Sequence, residues 1–171
     1  KEETSKRVRE LMEKIREEAG ALLSAEPCPS LETTVIISSE QMALQVHESC
    51  GHPYEADRIF GREGAQAGES FVKREDIGKR IGSNCVTICD DPTIENGFGF
   101  YLFDDEGVKA RCKILMKNGI VNEFLHNRET AAKMGLKSNG GARANGYDKE
   151  PLVRMSNTFV TPGDYSEEEL F

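Results

Sequence analysis

The sequence has no tryptophan, only three histidines and no long apolar run, and each shortage excludes a class of protein. A membrane-spanning helix needs about 20 consecutive apolar residues, so we expect no membrane association. Positive charge is also scarce, because 22 Lys and Arg stand against 30 Asp and Glu, giving a net charge of −8. Since nucleic acid requires a concentrated basic surface, we expect no direct nucleic-acid binding.

Cysteine usage and the ends of the chain bear on location and completeness. Five cysteines, an odd number without the spacing of a disulfide scaffold, favour reduced thiols in the cytoplasm. No signal-peptide pattern opens the chain, so the protein is expected to be cytoplasmic. The first residue is Lys1 and the last is Phe171, without an obvious start or ending, which suggests a piece of a longer polypeptide.

The most informative segment is residues 38–60, which holds two of the three histidines. Glu48 directly follows His47, and His52 lies five residues after His47. Neutral imidazoles are preferred zinc ligands, and an adjacent carboxylate can take a proton from the attacking water in a zinc hydrolase. We therefore predict His47 and His52 as metal ligands and Glu48 as the catalytic base. The alternative is a helix-face histidine, a capping histidine and a solvated charge.

The spacing of the two histidines requires an interrupted helix. Side chains five positions apart diverge by about 140° on a helix with 3.6 residues per turn, so His47 and His52 cannot share a metal on a regular helix. Gly51 permits a non-helical conformation, and Pro53 disfavours helical backbone at the residue before it. Either the helix ends near Cys50 and His52 turns back, or one π-bulge brings the two histidines into register.

The start of the motif helix carries its own signal. Ser38 is predicted as the N-cap of a helix over residues 38–50, with Gln41 as its capping-box partner. We expect its buried side to be covered by Met42, Leu44, Val46 and Cys50.

Four further side chains are candidates for supporting roles. Cys50 lies three residues after His47 and could reach the same metal, although a small buried apolar role is the expectation. Glu55 and Asp57 follow closely enough to accept hydrogen bonds from the ligand imidazoles, with plain surface charge as the alternative. His126 is predicted to be structural rather than a third ligand.

The rest of the chain predicts an α+β fold, with antiparallel, hairpin-connected strands, an N-terminal amphipathic helix and the helix that carries the histidine motif. The N-terminal helix is expected to dock on its own protein or, alternatively, to help form a dimer. We predict three parts: helix and linker (1–30), the motif domain (31–165) and an acidic tail (166–171).

The predicted elements follow from local patterns. The glycine-rich segment 61–82 is predicted to be a long loop, serving either as a substrate-facing lid or as a mobile connection. Asn118-Gly119 is predicted to form a hairpin turn. The predicted helices are 5–24, 38–50, 128–134 and a start at 167; the predicted strands are 33–37, 85–89, 98–103, 110–117, 120–125 and 153–160.

Three cysteines lie in the β-rich half and are not expected to bind metal. Cys85 and Cys89 would share one face of a strand, but about 13 Å apart at about 3.3 Å per residue, too far to clamp one ion. Cys112 is placed with Ala110, Ile114 and Met116 on the inward face of its strand. All three cysteines are therefore expected to be core residues.

Further motifs follow the histidine pair in a specific order. They are Glu55 with Asp57, Asp104-Asp105-Glu106-Gly107, Asn118-Gly119, Ser138-Asn139-Gly140-Gly141 with Arg143, and Pro151 with Arg154-Met155-Ser156-Asn157-Thr158. In order and spacing, residues 46–163 resemble the TldD/PmbA family of peptidases, also labelled modulators of DNA gyrase.

The resemblance implies a zinc metallopeptidase with His47 and His52 on the metal and Glu48 as general base. It points to the TldD-like catalytic branch, whose members cleave peptides or unfolded segments as homodimers or as heterodimers with a non-catalytic relative. The family's third zinc ligand is a cysteine near the C-terminus of a much longer chain, and no segment here matches it. The chain is therefore expected to lack the C-terminal part, and by itself to bind zinc poorly and to be inactive.

Two rival functions remain open at the level of sequence. The first is a non-catalytic interaction or regulatory module of the same family that binds a protein partner; the intact Glu48 argues against it. The second is a structural metal site closed by His47, Cys50, His52 and one more ligand. The sequence specifies neither the substrate nor the dimer partner.

Overall fold

A computed structural model describes residues 2–62 and 68–170. The chain divides after Val35 into a short helical unit and a larger unit that carries the histidine motif. The larger unit combines short helices with antiparallel strands, so the predicted α+β class is confirmed. Across the described residues, no helix combines the length and the apolar character needed to cross a bilayer.

The first unit is dominated by one helix, α1 (Glu2–Leu22), as predicted for residues 5–24. Its docking on the rest of the protein stays a prediction. The predicted strand at residues 33–37 is wrong, because this segment is irregular. Its β-branched residues favour extended backbone, but a strand also needs a hydrogen-bonded neighbour, and among the described residues none pairs with it.

The motif segment is a run of consecutive short helices. These are α2 (Ser39–Val46), a π-helix (His47–Gly51), a 3₁₀-helix (His52–Tyr54) and α3 (Ala56–Ile59). The Ser38 hydroxyl accepts a hydrogen bond from the Gln41 amide at 3.4 Å, which confirms the predicted N-cap. Of the four residues expected on its buried side, Val46 and Cys50 are buried, Met42 is half-buried and Leu44 is exposed.

Within residues 2–62 and 68–170, six short strands form two antiparallel sheets. They are β1 (Ile88–Asp90), β2 (Lys113–Lys117), β3 (Ile120–Val121), β4 (Ala142–Arg143), β5 (Leu152–Val153) and β6 (Thr158–Val160). The larger sheet has the order β3-β2-β1-β6, and β4 pairs with β5 in the smaller one. The core lies between the motif helices and the larger sheet and includes Val46, Tyr54, Leu115, Phe124, Leu125 and Val153.

The hairpin between β2 and β3 turns at Asn118 and Gly119, as predicted. Both residues have positive φ, 49° and 74°, which is the backbone of a type I′ turn. A side chain at Gly119 would also overlap the carbonyl oxygen of Gly82. The turn therefore needs glycine for its conformation and for the close approach of a neighbouring loop.

The predicted inward face of β2 is wrong. Lys113 is fully buried, whereas Cys112 is exposed. The Nζ of Lys113 lies 2.9 Å from Oδ2 of the buried Asp90 on β1, and this ion pair makes an inward lysine possible. Cys85 is also exposed, so only Cys89 of the three cysteines is in the core as expected.

Residues 98–103 do not form the predicted strand. They make one isolated bridge, from Phe103 to Lys109, and single hydrogen bonds to other segments, such as Tyr101 N–H to the Pro92 carbonyl. The Gly99 amide donates to Asn157 Oδ1 at 2.8 Å, and a side chain at Gly99 would overlap the Ser156 backbone. Contact with that backbone, rather than strand pairing, fixes this aromatic-rich segment.

The two C-terminal helices agree with the local signals, but the single strand predicted for residues 153–160 is wrong, since β5 and β6 belong to different sheets, and the strand predicted for 120–125 ends at Val121. Helix α4 (Arg128–Lys133) ends before Gly135, whose φ is +70°, and α5 (Glu167–Leu170) begins where the acidic tail predicted a helix. Residues 63–67 of the predicted long loop lie outside the described residues. Within the rest of that loop, a 3₁₀-helix (Arg74–Asp76) and the hydrogen bond from Gly78 N–H to the Val121 carbonyl, 2.8 Å long, tie the chain to the edge of the sheet.

Candidate metal centre

The π-helix brings the two motif histidines to the same side of the chain. The His52 amide donates to the His47 carbonyl, an i to i+5 bond, so side chains five apart nearly eclipse. Of the two predicted ways to interrupt the helix, the structure has the π-bulge. His52 itself keeps helical dihedrals, φ −61° and ψ −45°, so the expected effect of Pro53 on its backbone is wrong.

Gly51 is required for packing and not for an unusual conformation. Its φ of −57° is ordinary for a helix, in contrast to the predicted departure from helical geometry. A Cβ built on Gly51 would overlap the sulfur and terminal methyl of Met155. The π-helix therefore lies directly against the segment that contains Met155.

The three predicted catalytic and ligand side chains come together. The His47 and His52 rings have their centroids 4.6 Å apart and are almost perpendicular, at 89°. Ligand atoms of His47, Glu48 and His52 all lie within 4.8 Å of one another, and this is the one such group of His, Cys, Asp and Glu found within the described ranges. His47 and Glu48 are exposed, and His52 is partly buried.

This donor set fits a zinc ion. Two imidazoles with a nearby carboxylate are typical zinc donors, and catalytic zinc has three protein ligands with one open position. His47 and His52 supply two ring nitrogens within 4.8 Å of each other, and their exposure leaves room for a further ligand and for substrate. The residues present therefore match part of a catalytic zinc site.

The His52 ring contacts a buried carboxylate. Oε2 of Glu55 lies 3.1 Å from Nδ1 of His52, and Glu55 is fully buried. The same oxygen accepts from Nε of Arg58 at 2.6 Å, and Oε1 accepts from the Met155 amide at 3.2 Å. These contacts allow the Glu55 carboxylate to remain charged inside the protein, because a buried charge needs paired and hydrogen-bonded partners.

The contact with Glu55 bears on which nitrogen of His52 can bind a metal. Nδ1 of His52 also lies 3.2 Å from Nη2 of Arg58, and one ring nitrogen cannot donate to Glu55 and accept from Arg58 together. A neutral ring that donates Nδ1–H to Glu55 presents the Nε2 lone pair, as metal-ligating histidines commonly do. Glu55 thus favours the tautomer that a ligand at His52 requires.

Buried carboxylates also hold the segment 153–156 that faces this centre. Oδ2 of Asp57 accepts from the Val153 amide at 3.0 Å, and Oδ1 of Asp90 accepts from the Ser156 amide at 2.6 Å. With Glu55 on the Met155 amide, three side chains take the hydrogen bonds that a neighbouring strand would otherwise make. A role of Asp57 at an imidazole stays a prediction.

The centre opens into a cleft with a volume of about 880 Å³. His47, His52 and Glu55 line this cleft. The other lining residues are Phe98, Arg143, Ala144, Asn145, Lys149, Glu150, Leu152, Arg154, Met155 and Ser156. Phe98 is fully exposed at the cleft, so the groove combines apolar and charged surface in the way that peptide-sized ligands require.

Two of the supporting candidates behave as expected from their burial. Cys50 is buried, and desolvation raises the pKa of its thiol to about 11, which keeps it protonated at neutral pH. His126 is buried, and its Nδ1 lies 3.1 Å from the Thr130 hydroxyl. It does not belong to the group of possible metal ligands that contains His47. Arg58 was not predicted as a partner of Glu55, although a basic residue three positions later on a helix is a usable signal.

Comparison with known proteins agrees with the geometry. Residues 30–171 match the family model of the PmbA/TldA metallopeptidase C-terminal domain. The chain is 44% identical over 149 residues to Metalloprotease MJ0996 of Methanocaldococcus jannaschii, covering 87% of this chain and 31% of that protein. It is 36% identical over 141 residues to the Zinc metalloprotease TldD homolog of Saccharolobus solfataricus, covering 82% and 30%.

Solved structures share the fold. A crystal structure from Thermotoga maritima, named for a modulator of a DNA gyrase, is 30% identical with a TM-score of 0.59, covering 75% of this chain and 27% of that one. TldE from Thermococcus kodakarensis has a TM-score of 0.60 at 22% identity, covering 75% and 28%, and shows the fold alone. The chain spans about a third of the length of the curated relatives it matches, at 31%, 34% and 33%. With the family model matched over most of its length, this chain belongs to the PmbA/TldD metallopeptidase family.

Proposed function

We propose that this chain supplies part of the catalytic centre of a TldD-like, zinc-dependent peptidase that hydrolyses peptides or unfolded segments. The observation that carries the proposal is the π-helix, which gathers His47, Glu48 and His52 within 4.8 Å, with both histidines lining a cleft of about 880 Å³. A regular helix of the same sequence would separate the two imidazoles.

In this proposal His47 and His52 hold the zinc, and a third ligand comes from outside this chain. Zinc in that position would supply Lewis acidity, which polarises a peptide carbonyl and acidifies water. Glu48 accepts a proton from the attacking water and passes it to the leaving amine. Its exposed carboxylate has Oε1 4.0 Å from Nε2 of His47, a residue that lines the cleft.

Glu55 and the cleft walls have positioning roles. Glu55 holds the His52 ring and, through the Met155 amide, fixes the ring relative to the wall at 153–156. The apolar ring of Phe98 and the guanidinium groups of Arg143 and Arg154 border the same groove. A peptide lying there would meet a wall whose path is set by the motif helices themselves.

Two finer statements belong to the same proposal. We infer dimers, either of this protein or with a non-catalytic relative, which light scattering on the purified protein would measure. We also infer a cytoplasmic location, which agrees with the presence of free cysteines in the described chain and is tested by cell fractionation.

The experiment that tests the function compares zinc content and peptide hydrolysis in the chain and in Glu48→Ala. Glu40→Ala is the matched control, since Glu40 is an exposed carboxylate on α2 outside the ligand group. A catalytic site keeps zinc in both variants and loses hydrolysis only in Glu48→Ala. Because the third ligand is expected elsewhere, the same measurements are made on the full-length protein.

The remaining outcomes separate the rival functions. Zinc bound without hydrolysis in the full-length protein would indicate a closed structural site. Neither zinc nor hydrolysis would indicate an interaction module that binds a protein partner. Either result would overturn the peptidase proposal.

A further inference from the structure

A second cavity lies apart from the metal centre, with a volume of about 480 Å³. It shares no lining residue with the cleft beside the histidine pair. Its size is within the range of about 300–1,000 Å³ that is usual for small-molecule sites. The lining residues are Arg74, Ile77, Arg111, Asn122, Glu123, Phe124, His126, Met134, Leu136, Lys137 and Asn139.

His126 forms part of the wall and is 3% exposed. Its Nδ1 pairs with the Thr130 hydroxyl at 3.1 Å, and its backbone amide donates to Asn139 Oδ1 at 2.9 Å. Among the described residues no hydrogen-bond partner is present for Nε2. Since Nδ1 is directed to Thr130, Nε2 is the polar atom that this buried ring offers to the cavity.

The protonation of His126 decides what Nε2 can bind. Burial lowers the pKa of His126 to about 4, so the ring is neutral at physiological pH. The Thr130 hydroxyl has one proton and lies 2.9 Å from Asn127 Oδ1, so toward Nδ1 of His126 it acts as the acceptor. The ring proton then sits on Nδ1, and Nε2 accepts a hydrogen bond from an N–H or O–H group.

The other lining residues of this cavity indicate which further chemical groups its ligand carries. Phe124, Met134, Leu136 and Ile77 give an apolar surface. Glu123 is fully engaged, since it accepts two bonds from Arg111, at 3.1 and 2.6 Å, one from the Ile114 amide and one from Asn139 Nδ2. Within the described ranges, Arg74 and Lys137 have no carboxylate partner, so the rim has an excess of positive charge.

We propose that this cavity binds the carboxylate end of an acylated apolar amino acid, as found in N-acyl amino acids and at peptide C-termini. The carboxylate pairs with Lys137 and Arg74, the amide N–H donates to Nε2 of His126, and the apolar side chain packs on Phe124 and Met134. One ligand therefore provides a hydrogen-bond donor for Nε2 of His126, a negative charge for the cations of the rim and an apolar group for the apolar wall.

The test is a titration of the protein with N-acetyl-L-leucine, followed by calorimetry and by the histidine ring ¹⁵N signals in NMR. With three histidines in the chain, the His126 signal can be assigned with His126→Phe. The expected result is saturable binding that shifts the His126 Nε2 resonance. N-acetyl-L-leucinamide, which lacks the carboxylate, and 4-methylpentanoate, which lacks the amide N–H, should both bind more weakly.

Variants then test the two polar contacts. His126→Phe keeps a flat aromatic ring at this position, removes the acceptor and should weaken binding about 3- to 10-fold. Lys137→Gln removes an exposed rim charge and should weaken binding about 2- to 5-fold. Lys117→Gln, an exposed lysine at the end of β2 that does not line the cavity, should leave affinity unchanged.

Several results would overturn the proposal. They are no saturable binding, equal affinity for the leucinamide, an unmoved His126 signal, or equal weakening by Lys137→Gln and Lys117→Gln. A tripeptide ending in leucine identifies the source of the ligand: tighter binding than N-acetyl-L-leucine indicates peptide C-termini, and equal binding indicates the free acylated amino acid. All titrations include EDTA, so the result is independent of the zinc peptidase proposal.

Discussion

Lys113 and Asp90 form an ion pair of 2.9 Å in which neither side chain is exposed to solvent. The pair joins β2 to β1. Asp90 also accepts hydrogen bonds from the Ser156 hydroxyl at 2.8 Å and the Thr158 hydroxyl at 2.9 Å. Both oxygens of the Asp90 carboxylate therefore have partners inside the protein, and Lys113 is the cationic one.

Replacing Lys113 by methionine should destabilise the protein strongly. The change keeps the apolar length of the side chain but leaves the Asp90 charge buried and unpaired. Breaking a buried pair from one side typically costs about 3–5 kcal/mol, and urea unfolding would measure the loss. Lys117→Met, at the exposed end of the same strand, is the control and should change the free energy of unfolding by less than about 0.5 kcal/mol. Equal effects of the two would show that the pair contributes nothing specific.

A methyl group at Gly51 should separate the motif from the cleft wall. Gly51→Ala places a Cβ against the Met155 sulfur, and overpacking of this kind costs about 1–3 kcal/mol. Gly20→Ala is the matched control, because nothing lies within 4 Å of that position on α1, and there alanine should be neutral or slightly stabilising. If the overlap is the cause, Met155→Ala combined with Gly51→Ala should cost less than the sum of the single changes.

Replacing the Glu55 carboxylate by a neutral amide should reduce the affinity for zinc more than it reduces the stability of the fold around the ligands. Glu55→Gln loses the carboxylate that holds Nδ1 of His52. Changes at such outer partners typically reduce metal affinity about 10- to 100-fold, which competition with a chromophoric chelator would measure. Glu40→Gln, on the exposed surface of α2, should leave the affinity unchanged. Unaltered zinc affinity in Glu55→Gln would remove Glu55 from the centre.

His126 should make the protein less stable in acid. Burial lowers the pKa of this histidine to about 4, below its value of about 6.5 in an unfolded chain. Between these values the unfolded state binds the extra proton, so stability falls as the pH drops from about 6.5 towards 4.

The loss from this one group amounts to about 3 kcal/mol at its limit. Urea unfolding at pH 7 and pH 4.5 would measure it by comparison with His126→Phe, in which the contribution is absent while the carboxylates still titrate. A wild-type protein with the same pH dependence as His126→Phe would contradict the assignment.

The features that sequence predicted correctly are those decided within a few residues. Ser38 caps a helix because its hydroxyl reaches an amide three positions later. Asn118 and Gly119 form a turn because both accept positive φ, and Gly135 ends α4 for the same reason. The spacing of His47 and His52 predicted that the helix is interrupted and left two forms of interruption open, of which the structure has the π-bulge.

The features that sequence did not predict depend on distant partners. The inward side of β2 is set by Asp90, which lies 23 positions before Lys113, and no alternation within the strand reveals it. The small residue at position 51 is explained by the adjacent Met155 side chain, and the irregular path of residues 98–103 is explained by contacts with Ser156 and Asn157. Local propensity is overridden at these positions by contacts that only the folded chain creates.

The carboxylates that hold the amides of residues 153–156 have a consequence for how this wall can vary between relatives. Each of Asp57, Glu55 and Asp90 contacts a main-chain N–H group of the segment, so these three contacts do not depend on which side chains the segment carries. Substitutions there can alter what the groove recognises while its outline stays constant. Inserting or deleting a single residue would instead shift every amide past its carboxylate, so change along this segment should proceed by replacement and not by length.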